Sequence, residues 1–420
     1  MNSAWQRTRT RSSGTGRRTS SSGESATRRC PRTSARGCVT CGTTRTATSR
    51  TSRTSTRRPL SPSGSEVTLT AAVERADVEV LAAARAGTAA SGRRRLFGFT
   101  AGLAVLAVCC ALSIMIGSQR LSLAEVLAAL GGAEGEAGLI VRDLRVPRTL
   151  LGVLVGAALG VAGAVMQAFT RNPLADPGIL GVNAGAAFAV ACGAAAFGVT
   201  SVSGTIWFAL VGAVVSTFAV YFIGSAGRGG PDPLRLTLAG VAIGAFLSGI
   251  TSGITLMLPE VFNRMRGWNA GSIASVPPDA FASVTPFLIV GLVLAGVVAK
   301  PLNAVALGDE LAAALGSRVV TTRVISVVAV TLLAATATAV AGPIGFVGLM
   351  VPHAVRWFTG PDQRWIFAGS AVAAPVLLLA SDIVGRLMLR SGEMPVGIVT
   401  AFVGGPVLIA LVRRRKASGL

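Results

Sequence analysis

Side chains that could bind a metal or act as a nucleophile are few and scattered in this sequence. His353 is the only histidine, and one imidazole without a neighbouring cysteine or acidic cluster makes a poor metal site. A structural role at a helix end is the favoured interpretation. Cys38 and Cys41 form a single Cys-x-x-Cys pair with no second pair, which a chance occurrence explains better than zinc binding. The sequence therefore predicts no catalytic, metal-binding or cofactor-binding residue in this chain.

The most informative charged segment is an acidic, amphipathic stretch over residues 301–316, which we call the coupling segment. Pro301 is expected to end the preceding helix, so that two very short helices follow, with Asp309 and Glu310 in the first turn of the second. Glycines punctuate the segment and leucines recur every four residues on one face, namely Gly308, Gly316, Leu307, Leu311 and Leu315. The segment is too short to span a bilayer. Both a surface connector and a partner-binding element fit this pattern.

Composition places these residues in an all-α polytopic membrane protein. The chain has 420 residues, of which 51% are apolar and 14% charged. Its mean hydropathy is +0.63, which is typical of helical membrane proteins rather than soluble domains. The alternating pattern of a membrane β-barrel is not visible.

The formal charge of +21 lies mostly before the first apolar segment. Residues 1–92 are rich in Arg, Ser and Thr and lack an apolar core, so we expect a disordered N-terminal extension. The charge fits binding to nucleic acid or anionic lipid, a targeting segment, or an extension from a misassigned start codon. The monotony of the segment, without interleaved aromatic residues, favours the last explanation or a tail without function.

Residues 93–416 form the predicted transmembrane domain, with about ten spans. The expected spans are residues 96–117, 149–169, 179–198, 205–224, 234–258, 281–299, 323–341, 342–356, 365–389 and 396–412. Basic clusters before the first span and after the last predict that both termini are cytoplasmic in a bacterial inner membrane. Glycines repeat every four residues in the second span, where they favour close helix packing: Gly152, Gly156 and Gly160.

Several motifs in this order resemble the membrane subunit of type II ABC importers, the iron-siderophore and cobalamin permease (FecCD-like) family. The motifs lie at residues 145–148 with 156–167, and at 172–181, 307–316, 342–353 and 393–397. The resemblance covers the chain from about residue 96 to its C-terminus. It implies the fold of that permease family.

The resemblance also implies roles for particular residues. The coupling segment would lie in a groove of a separate ABC ATPase dimer through Leu307, Gly308, Asp309, Glu310, Leu311, Leu315 and Gly316. ATP and Mg would be bound by that ATPase, since this chain has no Gly-x-x-x-x-Gly-Lys-Ser/Thr loop. Arg145, Arg148 and Arg386 would dock a periplasmic or lipid-anchored substrate-binding protein, although an intrahelical pair of Arg386 with Asp382 also fits. Asn172 and Leu174 would form the cytoplasmic gate, with plain turn chemistry as the alternative.

The preferred function is therefore an importer permease for an iron-siderophore complex, acting with a second permease chain that is either identical or different. The alternative substrates are cobalamin, haem or another metal chelate. An ion-coupled secondary transporter is less favoured, because only Asp382 and Arg386 approach the ionisable groups that such carriers place in the membrane. A role in nucleic-acid binding would not explain the predicted spans.

Overall fold

The computed structural model describes residues 92–117, 119, 121–226, 233–274, 276–389 and 392–415. The predicted N-terminal extension, apart from Gly92, lies outside the described residues, and so do Cys38 and Cys41. Within the described ranges the regular secondary structure is helical throughout. The predicted all-helical architecture is therefore confirmed.

The helices follow one another with short connections. In the first half they are α1 (Gly92–Met115), α2 (Leu123–Leu130), α3 (Glu136–Leu139), α4 (Val146–Thr170), α5 (Val182–Phe197), α6 (Val202–Ser225) and α7 (Pro233–Met257). In the second half they are α8 (Pro259–Asn269), α9 (Pro278–Val305), α10 (Asp309–Ala314), α11 (Val319–Ala341), α12 (Val347–Thr359), α13 (Gln363–Met388) and α14 (Val396–Arg415).

Seven helical segments of the described chain are long and apolar enough to cross a membrane. One of them is the continuous stretch formed by α3 and α4, and the others are α1, α6, α7, α9, α11 and α13. Two shorter apolar helices, α5 and α14, and the 13-residue α12 occupy the remaining predicted spans. The predicted positions of these segments thus agree with the structure, but three of the helices are short.

Two boundaries differ from the prediction. The second span begins at Glu136, because a π-helical turn over Ile140–Arg145 joins α3 to α4. The preceding helix does not end at Pro301, since α9 continues to Val305. Membrane helices tolerate an internal proline because neighbouring groups can satisfy the freed carbonyl. The chain breaks instead at Gly308, whose φ of 113° is accessible to glycine but strained for other residues.

The core is built on α4 and α11, whose residues are mostly buried within the chain, whereas α1 and α7 face outward. The predicted glycine repeat of α4, formed by Gly152, Gly156 and Gly160, faces α13. A Cβ on Gly156 would lie 2.6 Å from the Pro375 Cα, so the two backbones touch here. This close contact fixes α4 relative to α13, and the residues discussed below lie at the two ends of that pair.

Candidate functional site

The coupling segment presents an uncovered apolar face. Asp309 and Glu310 lie in the first turn of α10, as the sequence predicts. Leu307, Leu311 and Leu315 are 62%, 58% and 67% exposed, although each is a large apolar side chain. Gly308 and Gly316, at the two ends of α10, both have positive φ. The segment therefore offers three exposed leucines. Leu311 lies on α10, Leu315 directly follows the helix, and Leu307 precedes the turn at Gly308.

Asp309 connects α10 to two other parts of the fold. Its Oδ1 accepts a short hydrogen bond from the Arg171 guanidinium, and its Oδ2 lies 2.7 Å from Nη2 of Arg323 on α11. Arg171 is the residue after α4 and adopts a left-handed conformation with φ of 52°. Sequence reasoning missed both arginines as partners of Asp309. The one sequence feature that could have indicated a role for Arg171 is its position directly before the motif at residues 172–181.

The loop over residues 171–181, which we call the gate loop, is shaped by side chains that bond to its own backbone. Asn172 Oδ1 accepts from the Leu174 N–H at 2.9 Å, and Asp176 Oδ1 accepts from the Gly178 N–H at 2.8 Å. Asp176 thereby caps a 3-10 turn over Pro177–Leu180. Burial raises the pKa of the Asp176 carboxyl, although the bond from Gly178 acts in the opposite direction. Turn chemistry is thus present, and the gating role of Asn172 and Leu174 stays a prediction.

A glutamine near the same end ties α4 to α12. Pro352 has no N–H, so the Gly348 carbonyl has no helical donor four residues later. Gln167 Nε2 supplies a donor, at 3.4 Å from the Gly348 oxygen and 3.0 Å from the Leu349 oxygen. A Cβ on Gly163 would lie 1.9 Å from the same Gly348 oxygen, so only glycine permits this approach. The motifs at residues 156–167 and 342–353 are therefore in contact.

The opposite end of α4 carries a buried ionic cluster formed by Arg145, Arg148, Asp382, Arg386 and Glu393, which we call the arginine cluster. Arg148 donates two hydrogen bonds to Asp382, from Nε to Oδ2 at 3.1 Å and from Nη2 to Oδ1 at 2.7 Å. Its Nη1 also donates to Glu393 Oε2 at 2.6 Å. Arg386 donates to Asp382 from Nε at 2.9 Å and through a second, short bond from Nη2. The intrahelical Arg386–Asp382 pair considered from sequence is therefore present.

Two arginines of the cluster also hold the C-terminal end of α1. Arg145 Nη1 lies 2.9 Å from the carbonyl oxygens of Ile114 and Met115. Arg386 Nη1 lies 2.8 Å from those of Ser113 and Ile116. Cations suit the end of a helix, where carbonyls lack intrahelical partners. The cluster thus attaches α1 to both α4 and α13.

The three arginines expected to dock a binding protein are largely buried in this chain. Arg145 and Arg386 are each 5% exposed, and the Arg148 side chain is 13% exposed. The distribution of positive charge along the sequence predicts that these arginines lie outside the cytoplasmic loops, but it does not show how deeply they are buried. Docking of a binding protein by Arg145, Arg148 and Arg386 stays a prediction, and in this structure all three are bonded within the chain.

His353 lies on α12 with its ring 5.7 Å from that of Trp357, in an edge-to-face arrangement. Among the residues that the structure describes, no group of three or more His, Cys, Asp or Glu side chains could hold a metal ion. The chemistry at both ends of α4 is therefore that of ion pairs, hydrogen bonds and apolar surface.

A bundle of membrane-length helices, with a short acidic helix at one end and a buried arginine cluster at the other, has the architecture of an ABC importer permease of the type II class. The chain belongs to the FecCD transport family, whose sequence model matches residues 105–414. It is a multi-pass membrane protein, as predicted.

Individual relatives support this assignment. The ferric enterobactin transport system permease protein FepD of Escherichia coli K12 is 49% identical over 319 residues, covering 76% of this chain and 95% of that protein. The iron(3+)-hydroxamate import system permease protein FhuB of Bacillus subtilis 168 is 39% identical, covering 75% and 83%. Permeases named for cobalamin, from Halobacterium salinarum, and for hemin, from Yersinia pestis, are each 36% identical. All are named as permease proteins, so the prediction of a transporter subunit rather than an enzyme is confirmed.

A solved structure agrees with the fold. It is a metal-chelate type ABC transporter in an inward-facing conformation, with a TM-score of 0.66 and 25% identity. The match covers 76% of this chain and 99% of that chain.

Proposed function

We propose that this permease translocates a ferric siderophore that a substrate-binding protein delivers, and that a separate ATPase drives the transport. The 49% identity to a ferric enterobactin permease supports the substrate class. A cobalamin or haem complex is the alternative substrate, supported by relatives at 36% identity. A second permease chain, identical or different, would complete the path.

The observation that carries the proposed coupling is the set of exposed leucines in the coupling segment, next to the ion-paired Asp309. In this proposal the ATPase groove covers Leu307, Leu311 and Leu315, and ATP and Mg act in that partner. Movement of the ATPase displaces α10 as a rigid unit. Because Asp309 is bonded to Arg171, the displacement reaches the gate loop directly at its first residue. The coupling segment and both termini would then be cytoplasmic.

The arginine cluster would lie at the extracytoplasmic end, where the binding protein docks. In this proposal the arginines first shape that surface from within, by holding α1, α4 and α13 together. Direct docking by Arg145, Arg148 or Arg386 would require each to exchange an internal partner for an acidic side chain of the binding protein.

The test of coupling is the double variant Leu311→Asp with Leu315→Asp. Burial of one leucine contributes about 2 kcal/mol, so two lost leucines correspond to roughly thousandfold weaker binding of the ATPase. Both side chains are exposed in the chain itself, so its folding should not change. The measurements are co-purification of the ATPase with the tagged permease and uptake of radiolabelled ferric enterobactin and cobalamin by cells.

Leu127→Asp with Leu130→Asp on α2 is the matched control, because these leucines are also exposed and lie on a short helix. The control should keep its ATPase. Retention of both ATPase and uptake by the α10 variant would leave the coupling segment as a surface connector. Uptake of cobalamin but not ferric enterobactin by the unmodified permease would select the alternative substrate.

A further inference from the structure

An apolar groove of about 550 Å³ lies between α1 and the pair formed by α12 and α13. Phe97, Gly98 and Gly102 line it from α1, while Phe358 and Val372 line it from the other side. The groove runs along the first half of α1, from Arg94 to Gly102, where most residues of α1 are exposed. A volume of this size is large enough for a small-molecule ligand.

The end of the groove near the start of α1 is basic. Arg94 and Arg95 line it, and Arg93 is exposed beside them. Arg94 Nη2 donates to the Trp357 carbonyl at 3.3 Å. Arg95 lies 3.8 Å from Asp362, a long ion pair. These guanidinium groups thus retain donors for a further acceptor.

Asp362 compensates this charge weakly because it has other partners. Its Oδ1 accepts from Asn303 Nδ2 at 3.0 Å and from the Arg364 N–H at 3.2 Å. It therefore acts as the cap of α13 and as a connection to the end of α9. One shared carboxylate faces several arginines at this end, so the local charge is positive.

Aromatic side chains near the basic end of the groove suggest that this end lies at a membrane–water interface. Trp357 and Phe358 are 53% and 59% exposed. Phe99 meets Trp365 edge to face, with ring centroids 6.4 Å apart. Aromatic residues concentrate where hydrocarbon meets headgroups. The arginines are therefore at headgroup level and the groove below them is at acyl-chain level.

We propose that the groove binds an anionic phospholipid, with an acyl chain between α1 and α12–α13 and the phosphate held by Arg94 and Arg95. An acyl chain that enters the groove moves from the bilayer hydrocarbon into another apolar environment. The apolar part of the groove therefore discriminates little between lipids. The charged end selects the headgroup, because basic pockets between membrane helices bind anionic lipids. The bound lipid fills the gap beside α1 and stabilises its contact with the bundle.

The experiment is native mass spectrometry of the purified full-length permease with added phosphatidylglycerol or phosphatidylcholine. Phosphatidylglycerol should be retained at lower concentration than phosphatidylcholine. Arg94→Gln with Arg95→Gln should weaken retention of phosphatidylglycerol by about one order of magnitude or more, since each arginine near the headgroups contributes about a factor of five. Retention of phosphatidylcholine should not change. Arg266→Gln, at an exposed arginine of α8, controls for loss of a charge elsewhere.

A second variant tests the groove without touching its charge. No atom lies within 4 Å of a Cβ placed on Gly98, which lines the groove, so Gly98→Leu introduces a side chain there with room at its Cβ. It should reduce retention of phosphatidylglycerol, whereas Gly296→Leu, at an equally open glycine of α9, should not. The proposal would be overturned if both lipids were retained equally, or if neither the double arginine variant nor Gly98→Leu changed retention. It would also be overturned if no lipid adduct formed because another protein chain covers the groove.

Discussion

Asp382 is the residue of the arginine cluster whose loss should cost most. Its side chain is 2% exposed and lies between those of Arg148 and Arg386, whose side chains are 13% and 2% exposed. Asp382→Asn keeps the size of the side chain but removes the charge that faces both guanidinium groups. One amide oxygen also cannot accept all the bonds that two carboxylate oxygens accept here.

The magnitude follows from the burial of the pair. Removing one partner of a buried ion pair costs about 3–5 kcal/mol, because the other charge is left without compensation. A loss of this size is a large part of the stability of a typical protein, which is about 5–15 kcal/mol. The midpoint of thermal unfolding in detergent should therefore fall by on the order of 10 °C. Circular dichroism of the purified variant gives the midpoint.

Glu393→Gln is the matched control. Glu393 contacts only Arg148 within the cluster and its side chain is 27% exposed, so its loss should cost about 1 kcal/mol or less. Arg148→Met in the Asp382→Asn background should restore part of the lost stability, because it removes one of the two guanidinium groups that lost Asp382, while Glu393, which then loses Arg148, is partly hydrated. If Asp382→Asn unfolds at the temperature of the unmodified protein, or if Glu393→Gln is equally damaging, the cluster does not hold this end of the bundle.

Three further changes test the other end of α4. Gln167→Leu should lower the free energy of unfolding by about 1–3 kcal/mol, because the Gly348 carbonyl loses its donor; an unchanged thermal midpoint would contradict this. Arg171→Gln breaks an exposed pair with Asp309, so stability should change by less than about 1 kcal/mol, while uptake of the proposed ferric siderophore per ATP hydrolysed should fall in membrane vesicles. Asp176→Asn should remove a pH dependence. A buried carboxyl with a raised pKa stabilises the fold in its protonated form, so the unmodified protein should lose stability as pH rises from about 3.9 towards the raised value. Parallel thermal midpoints of the two proteins across pH would argue against that assignment.

Apolar runs were sufficient to predict the architecture, because membrane-length segments must satisfy their backbone groups as helices. The acidic first turn of α10 was also predictable, since the residues concerned are neighbours in sequence. Pro301 misled the prediction because rules drawn from soluble helices overstate its effect in a membrane helix. Within a transmembrane α9 the break falls at Gly308 instead.

The pairings between distant segments could not be predicted. Asp309 and Arg171 are 138 residues apart, and Arg148 and Asp382 are 234 apart. One sequence places each charge on a side of the membrane but does not say which charges meet. The burial of the cluster's arginines, which follows from the close packing of α4 on α13, was therefore not predicted.

The arginine cluster also constrains the order in which the chain can be completed during synthesis. Arg145 finds its carbonyl partners on α1, which precedes it, so this contact can form as soon as α4 is inserted. Asp382 and Arg386 are one helical turn apart, so they can enter the bilayer as a mutually neutralised pair. Arg148, by contrast, is bonded to Asp382 and Glu393, which both come later in the chain. Its guanidinium must remain hydrated at the membrane surface until α13 emerges. The early helices are thus held in a provisional arrangement, and the arrival of α13 fixes it.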